Sequence, residues 1–373
     1  PMYVTQAGFG GHTPTALEKI LSGKIAFVRP RITDHQQGLQ GLATPGDLET
    51  AFQLMHLVFT APDDRPEAFH VVKDQWRTLL ANLRAAPEMR FTEEVERVNY
   101  SGHYMYRPRT VESLEEIDRE TAHRFFRERF ANAADFSFFF VGAFTPESIE
   151  PLIARYLGSL PGEPKGPRSA FVDREVRFPP GVIERTLHAG TEPKSRTVIT
   201  WPARTGLDEV EMFHLRRAGE VLNIRLRELL REALSGTYSV EVEYGNMIPF
   251  PGYEATSILF GSAPESAADL TAQVLAEVAR FQREGPTAEE VAKIKEMQLR
   301  ELETSLEQNS YWLSSLRTVQ AMGWDPLRIL ARSERIEGIT AAKLKEVFTR
   351  NYPDDNYTVI RLMPETPGGS APR

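Results

Sequence analysis

The sequence predicts an α+β fold made of two duplicated α/β sandwich domains, each a mainly antiparallel sheet covered by helices. The first observation is an amphipathic helix, a Ser-Gly stop and an alternating strand, which occur from Leu17 and again from Leu226. The second is a capped helix, an Asn/Asp turn and a final strand, which begin at Ile117 and again at Ile339. A sheet with an apolar face needs helices to cover it, so both copies predict the same layered unit.

The first copy opens with a glycine-rich break between two short helices. Thr13 is expected to cap the second helix, and Pro14 takes its first position. That helix stops at Gly23, because glycine readily adopts the left-handed conformation that ends helices. An alternating strand follows, then a second strand at 37–42 and a helix that opens at 44–47. The predicted order is therefore helix, strand, strand, helix.

The second copy repeats this order after two additional alternating segments, at 182–188 and 196–203. Its long amphipathic helix stops at Gly236, and a strand pair begins at Tyr238. The equivalent of the two additional segments in the first copy would lie before Pro1. We therefore expect the first domain to be truncated at its N-terminus and to lack its opening strand pair. The uncovered edge and face then predict self-association of the fragment.

A stretch rich in proline and glycine marks the boundary between the two copies. A chain of 373 residues is too long for one ordinary core, which agrees with two domains. The expected divisions are a first domain at 1–162, a linker at 163–180, a second domain at 181–364 and a disordered tail at 365–373.

The composition excludes several classes of function. A net charge of -8 and the lack of any Lys/Arg-rich run argue against a nucleic-acid partner. No apolar stretch approaches the roughly 18 to 20 residues that a membrane span requires. The absence of cysteine excludes disulfides, thiolate metal sites and cysteine catalysis.

The turn between the long helix and its following strand holds two side chains that suit catalysis. Arg231 is predicted in the final turn of the helix, and Tyr238 opens the strand. A guanidinium offers a planar fork of donors and a phenol one directional donor, which suits a substrate carbonyl or a developing oxyanion. In the alternative interpretation, Arg231 complements the helix dipole and Tyr238 packs in the core. The residues alone leave both interpretations open.

Recognisable metal and nucleophile motifs are missing from the sequence. It contains no HxxEH or HExxH helix, no GxSxG elbow and no Walker loop. The eight histidines are scattered, and the pairs Glu67–His70 and Glu120–His123 are typical of solvated helix faces. We therefore predict no metal ligands and no cofactor-binding residues in this chain.

The strings that flank these features resemble the C-terminal, non-zinc half of the pitrilysin/insulinase family of zinc peptidases, in its PqqL-like bacterial branch. The most specific string is REALSGTY, which contains Arg231 and Tyr238. The others are SGKIAFVRPRI, ATPGDLETAFQLMHLVFTAP, RFANAADFSFFFVGAF, YLGSLPG, EGPTAEEVAKIKE and QNSYWLSSL. The resemblance covers essentially the whole chain.

The resemblance implies half of a zinc metalloendopeptidase, which closes the peptide-binding chamber and is inactive alone. In that family a separate half carries HxxEH, binds zinc and holds the general-base Glu. Arg231 and Tyr238 would then contact the bound peptide, whereas Asn309 and Trp312 would pack and orient their unit. The implied partners are the HxxEH half and a peptide substrate.

Two further points follow from the resemblance. The alternative function is a non-catalytic scaffold or assembly subunit, which would have no reason to keep the pair Arg231 and Tyr238. The resemblance favours the periplasm or the cell envelope as the compartment and leaves the cytoplasm open.

Overall fold

The computed structural model describes residues 1–33, 36–84, 86–163, 172–203, 208–233, 240–245 and 255–365. The elements before residue 163 are α1 (Met2–Ala7), α2 (Pro14–Ile20), β1 (Ala26–Ile32), β2 (Gln37–Ala43), α3 (Leu48–Thr60), α4 (Pro66–Arg84), α5 (Pro87–Asn99), α6 (Val111–Glu115), α7 (Arg119–Arg129) and α8 (Pro146–Leu152). Those after residue 172 are β3 (Val182–His188), β4 (Ser195–Pro202), α9 (Glu209–Ala233), β5 (Val240–Gly245), β6 (Ala255–Ser262), α10 (Ala267–Glu284), α11 (Ala288–Leu306), α12 (Asn309–Met322), α13 (Arg332–Glu337), α14 (Ala341–Asn351) and β7 (Tyr357–Met363). The predicted α+β class is confirmed.

The described residues form two compact units. Unit 1 contains those within 1–83 and 109–170, and unit 2 contains those within 84–108 and 171–373. The helix α5 therefore belongs to unit 2, although it precedes much of unit 1 in the chain. Residues 164–171 of the predicted linker, and residues 366–373 of the predicted tail, lie outside the described residues. The predicted domain limits stay a prediction.

Unit 1 is built around an antiparallel strand pair and a cluster of phenylalanines. β1 pairs with β2, with Phe27 opposite Leu42, and α3 packs on both strands. The rings of Phe126 and Phe130 are almost fully buried and stack with their centroids 4.7 Å apart. Phe59 meets Phe130 edge to face, so α3 and α7 share this core.

The start of unit 1 follows the predicted capping pattern. The Thr13 side chain accepts a hydrogen bond from the Ala16 backbone N–H, and Pro14 occupies the first turn of α2. The first N–H groups of a helix have no acceptor within the helix. The Thr13 side chain supplies an acceptor for one of them, and Pro14 has no N–H that would need one. The predicted break between α1 and α2 is confirmed.

The final strand expected in unit 1 is a wrong prediction. Residues 136–141, where the sequence predicts this strand, form no strand ladder with any described residue. Every second residue of this segment still packs on the phenylalanine cluster, namely Phe136, Phe138 and Phe140, as the alternating sequence pattern predicts. Alternation places side chains on one face, whereas a strand also needs a neighbour for its backbone groups.

Unit 2 contains a five-stranded sheet with the order β3-β7-β4-β6-β5. The pair β3 and β7 is parallel, and the other three pairs are antiparallel. One face is covered by α9, α10 and α14, where Ile199, Ile258 and Phe260 are almost fully buried. The helix α5 packs on the opposite face against Ile360 and Leu362. The sheet is thus a layer between two sets of helices.

A pair of leucines tests how much this packing contributes to stability. Leu222 on α9 has no exposed surface, whereas Leu327 is 68% exposed. We expect Leu222→Ala to lower the free energy of unfolding by about 2–5 kcal/mol, because it removes buried methyl groups and leaves a cavity. The matched Leu327→Ala should change it by no more than about 0.5 kcal/mol. Chemical denaturation of both variants measures the difference, and equal losses would contradict the assigned core.

Candidate functional site

The predicted site falls at the connection between α9 and β5. The helix α9 ends at Ala233, so Arg231 lies in its last turn, and β5 begins at Val240. Nothing is described for the side chain of Arg231, and Tyr238 lies within 234–239, outside the described residues. The convergence of Arg231 and Tyr238 on one point therefore stays a prediction.

Both sides of this connection are held by one hydrophobic core. The buried residues of α9 recur every three or four positions, as a helix with one apolar face requires. They include Leu215, Ala218, Leu222, Leu226 and Leu230, all at most 2% exposed. Val240, the first residue of β5, is 2% exposed in the same cluster. The connection of six residues thus joins two elements whose positions are fixed by shared packing.

The strand β5 lies at the edge of the sheet. Among the described residues it pairs with β6 alone, so its other side has backbone N–H and C=O groups without a strand partner. Glu241 and Glu243 are exposed, whereas Val240 faces the helices. A strand at the edge of a sheet can bind an extended peptide through main-chain hydrogen bonds.

A small cavity of 180 Å³ lies on the α5 side of the sheet. Its polar lining includes Asn99, Thr200, Ser257 and Glu243. Burial raises the pKa of the Tyr100 phenol, and the negative charge of Glu96 adds to that rise. The cavity has room for a side chain rather than a whole ligand. Sequence reasoning missed it because α5 is distant in the chain from the strands that it meets.

A partly buried ion pair lies on α9, upstream of the connection. The guanidinium of Arg217 is 3.1 Å from the carboxylate of Glu220. Burial lowers the pKa of Arg217 and raises the pKa of Glu220, because each charged form loses water. The side-chain amide of Gln298, on α11, donates to the Glu220 carboxylate at 3.4 Å. The pair joins α9 to α11 through polar groups.

Asn309 and Trp312 lie at the start of α12. Asn309 is the first residue of the helix and is exposed. The indole N–H of Trp312 donates to the Leu306 carbonyl at 2.9 Å, and its ring meets Tyr311 edge to face. The hydrogen bond of Trp312 ties α12 to the end of α11.

The described residues contain no group of three His, Asp or Glu side chains that could hold a metal ion. The histidines with described contacts serve local structure. His103 bonds to the Arg174 carbonyl at 2.8 Å, and His123 lies 3.3 Å from the Pro62 carbonyl. In the ranges described, every helix is too short or too polar to span a lipid bilayer.

Comparisons with known proteins place these features in context. Residues 116–298 match the family described as the Peptidase M16 inactive domain. A protein of Arabidopsis thaliana named "Zinc protease PQQL-like" is 27% identical over 289 residues, which are 72% of this chain and 30% of that protein. The chain therefore spans less than a third of the length of this relative.

Two solved structures have the same fold. The periplasmic protease PqqL from Escherichia coli matches with a TM-score of 0.83 and 18% identity, over 97% of this chain and 40% of that chain. A Peptidase M16 inactive domain from Pseudomonas fluorescens matches with a TM-score of 0.81 and 16% identity, over 98% of this chain and 87% of that chain. The predicted resemblance to the non-zinc half of PqqL-like zinc peptidases is confirmed.

Metal analysis tests the predicted lack of a zinc site. We expect the tag-free chain to hold no stoichiometric zinc, because it lacks two histidines at helical spacing with a third ligand. Plasma emission measurements after dialysis should find well under one zinc ion per chain. About one tightly held zinc would contradict this expectation, and the ligands would then be sought among His56, His70, His103 and His123.

The raised pKa of Glu220 predicts a pH dependence of stability. Above the ordinary value of 4.5, the unfolded chain releases this proton while the folded chain still holds it. Rising pH therefore favours unfolding through Glu220, and the Glu220→Gln variant lacks this effect. We expect the stability of the unmodified chain, relative to this variant, to fall as pH rises from about 4.5. Denaturation curves at several pH values measure it, and a constant difference would refute the assignment.

Proposed function

We propose that this chain is the non-zinc half of a zinc metalloendopeptidase. It closes the peptide-binding chamber and contributes contacts to the substrate, whereas a separate HxxEH half holds the zinc and the general base. The observation that carries the proposal is the match of residues 116–298 to the Peptidase M16 inactive domain. Similarity to a zinc protease over 72% of the chain supports it.

The proposed role of Arg231 and Tyr238 is to bind the carbonyl of the substrate and the oxyanion that forms from it. When a peptide carbonyl is attacked, negative charge grows on its oxygen. A guanidinium and a phenol that donate to this oxygen bind it more strongly as the charge grows, which lowers the barrier. Neither residue is a nucleophile or a general base here, so the chain alone is inactive in this proposal.

The edge strand β5 supports the choice of an extended peptide as substrate. Among the described residues β5 pairs only with β6, and it begins at Val240, two residues after Tyr238 in the sequence. A peptide paired along this edge would present successive carbonyls at regular spacing, close to the start of the strand. Main-chain pairing binds many sequences alike, so specificity would come from side-chain contacts.

The proposed partners and compartment follow from the relatives. The partners are the HxxEH half, in the same polypeptide or a second subunit, and a peptide substrate. Zinc would be bound in that half and not in this chain. The Escherichia coli relative is named a periplasmic protease, which supports the periplasm or cell envelope as the compartment.

Removing the Tyr238 hydroxyl tests the proposed contact. In the enzyme completed with its zinc half, we expect Tyr238→Phe to lower kcat by about 100-fold to 1000-fold, as the loss of one oxyanion donor typically does. Arg231→Lys should also lower kcat, because lysine keeps the charge but loses the planar fork. Steady-state kinetics on a fluorogenic peptide measure kcat and KM separately.

Tyr104→Phe is the matched control, since Tyr104 is 55% exposed and should be dispensable for turnover. Full turnover of Tyr238→Phe with unchanged stability, combined with loss of stability in Tyr238→Ala, would identify Tyr238 as a packing residue. Full turnover of both Tyr238→Phe and Arg231→Lys would favour the scaffold function instead.

A further inference from the structure

We propose that Arg225 is the positioning residue for Arg231, because it locks the C-terminal half of α9 to the connection between α10 and α11. This inference rests on the proposed function, since it concerns the placement of a residue in that site. Arg225 does not contact the substrate in this proposal. It acts by fixing the rotation of α9 about its axis and its position along that axis, and the last turn of α9 contains Arg231.

Each of the three nitrogens of the Arg225 guanidinium donates at least one hydrogen bond. Its Nε donates to Glu290 Oε1 at 2.6 Å, and one terminal nitrogen donates to Glu290 Oε2 at 2.7 Å. That same nitrogen donates to the Gly285 carbonyl at 3.0 Å, and the other reaches Glu277 Oε1 at 3.2 Å. The guanidinium also lies over the Phe281 ring, 5.0 Å from its centroid. The planar guanidinium is thus held by acceptors on three residues, Glu277, Gly285 and Glu290.

Burial makes these contacts strong. The side chain of Arg225 is 9% exposed and that of Glu277 is 6% exposed. The hydrogen bonds that Arg225 donates to the Glu290 carboxylate raise the pKa of Arg225. Burial alone would raise the pKa of Glu290, but the bonds from Arg225 and the Thr287 backbone lower it. Arg225 and Glu290 are therefore both charged at neutral pH, and a charge left without its partner here would be costly.

The acceptors of these hydrogen bonds at the α10–α11 connection are held by contacts of their own. Thr287 and Glu290 form a reciprocal capping box at the start of α11. Gly285 has a φ of +73°, and a Cβ there would meet the Lys345 side chain. The capping box holds the start of α11 in place, and the bonds of Arg225 to Glu290 and Gly285 tie α9 to it.

Arg225 and Arg231 are close enough for this effect. Six residues of helix separate them, which is about 9 Å along the axis. Between them, Leu226 and Leu230 are buried among apolar residues. Apolar packing is not directional, so it permits small rotations and slips of a helix. The directional bonds of Arg225 oppose such motion. Among the described polar contacts of α9, those of Arg225 lie nearest to Arg231.

Amide hydrogen exchange on this chain tests the mechanical step. We expect Arg225→Met to accelerate exchange within residues 226–233, because the last turns of α9 would open more often. Arg280→Met is the matched control: Arg280 also pairs with Glu277, at 2.8 Å, but it is 49% exposed and lies on α10. Unchanged exchange in Arg225→Met, or equal acceleration in Arg280→Met, would overturn the proposal.

Turnover in the completed enzyme tests the catalytic step. Arg225→Lys keeps the charge, so it should fold, but it loses the fork. We expect it to lower kcat by up to about 100-fold with little change in KM, as misplacement by about 1 Å can do. The loss should vanish in an Arg231→Lys background, because a positioning residue acts through the residue that it positions.

A loss of the same factor in both backgrounds would overturn the proposal, since a general loss of structure would act independently of Arg231. Unchanged kcat in the Arg231→Lys single variant would refute the proposed role of Arg231, on which this inference rests. Faster exchange in Arg225→Met together with that result would make Arg225 an anchor of the helix and not a positioning residue for catalysis.

Discussion

The burial of α9 against the five-stranded sheet is the constraint on which unit 2 depends. Leu222 and Leu226 have no exposed surface, and they meet the sheet face that carries Ile258 and Phe260. Each buried side chain of this size stabilises the fold by roughly 1.5–3 kcal/mol relative to an exposed one. Because Val240 of β5 belongs to the same core, the end of the helix and the start of the strand cannot separate without opening that core.

Polar attachments then select one position of α9 on the sheet. Near its start, Glu211 accepts from Arg350 at 2.8 Å and from Asn351 at 3.1 Å, both on α14. In its second half, Arg225 binds Glu290 and the α10–α11 connection. A buried charge is tolerated only when its partner is in place, so these bonds exclude neighbouring registers. Apolar packing supplies most of the stabilisation, and the polar attachments determine the position of α9 on the sheet.

The sequence was informative wherever the signal is local. The cap at Thr13, the helix that carries Arg231 and the α+β class all follow from patterns within about 25 residues. The strand expected at 136–141 was wrong because pairing depends on a distant partner that alternation does not encode. The contacts of Arg225 were missed for the same reason, since its two carboxylate partners lie 52 and 65 residues away. In α9, Arg225 looks like any other arginine.

The position of Arg231 and Tyr238 on either side of a short connection has a mechanical consequence. Donors stabilise an oxyanion well only if their direction is fixed before the charge develops, because reorganisation costs free energy. In a zinc site, coordination bonds impose that geometry. The proposed donors of this chain have no such bonds, so their direction must come from the elements that flank them. Arg231 lies in the last turn of a helix of 25 residues that has polar anchors along its length, and Tyr238 precedes an edge strand paired with β6. The proposed catalytic contribution is therefore a property of the core of unit 2, and not of the connecting residues alone.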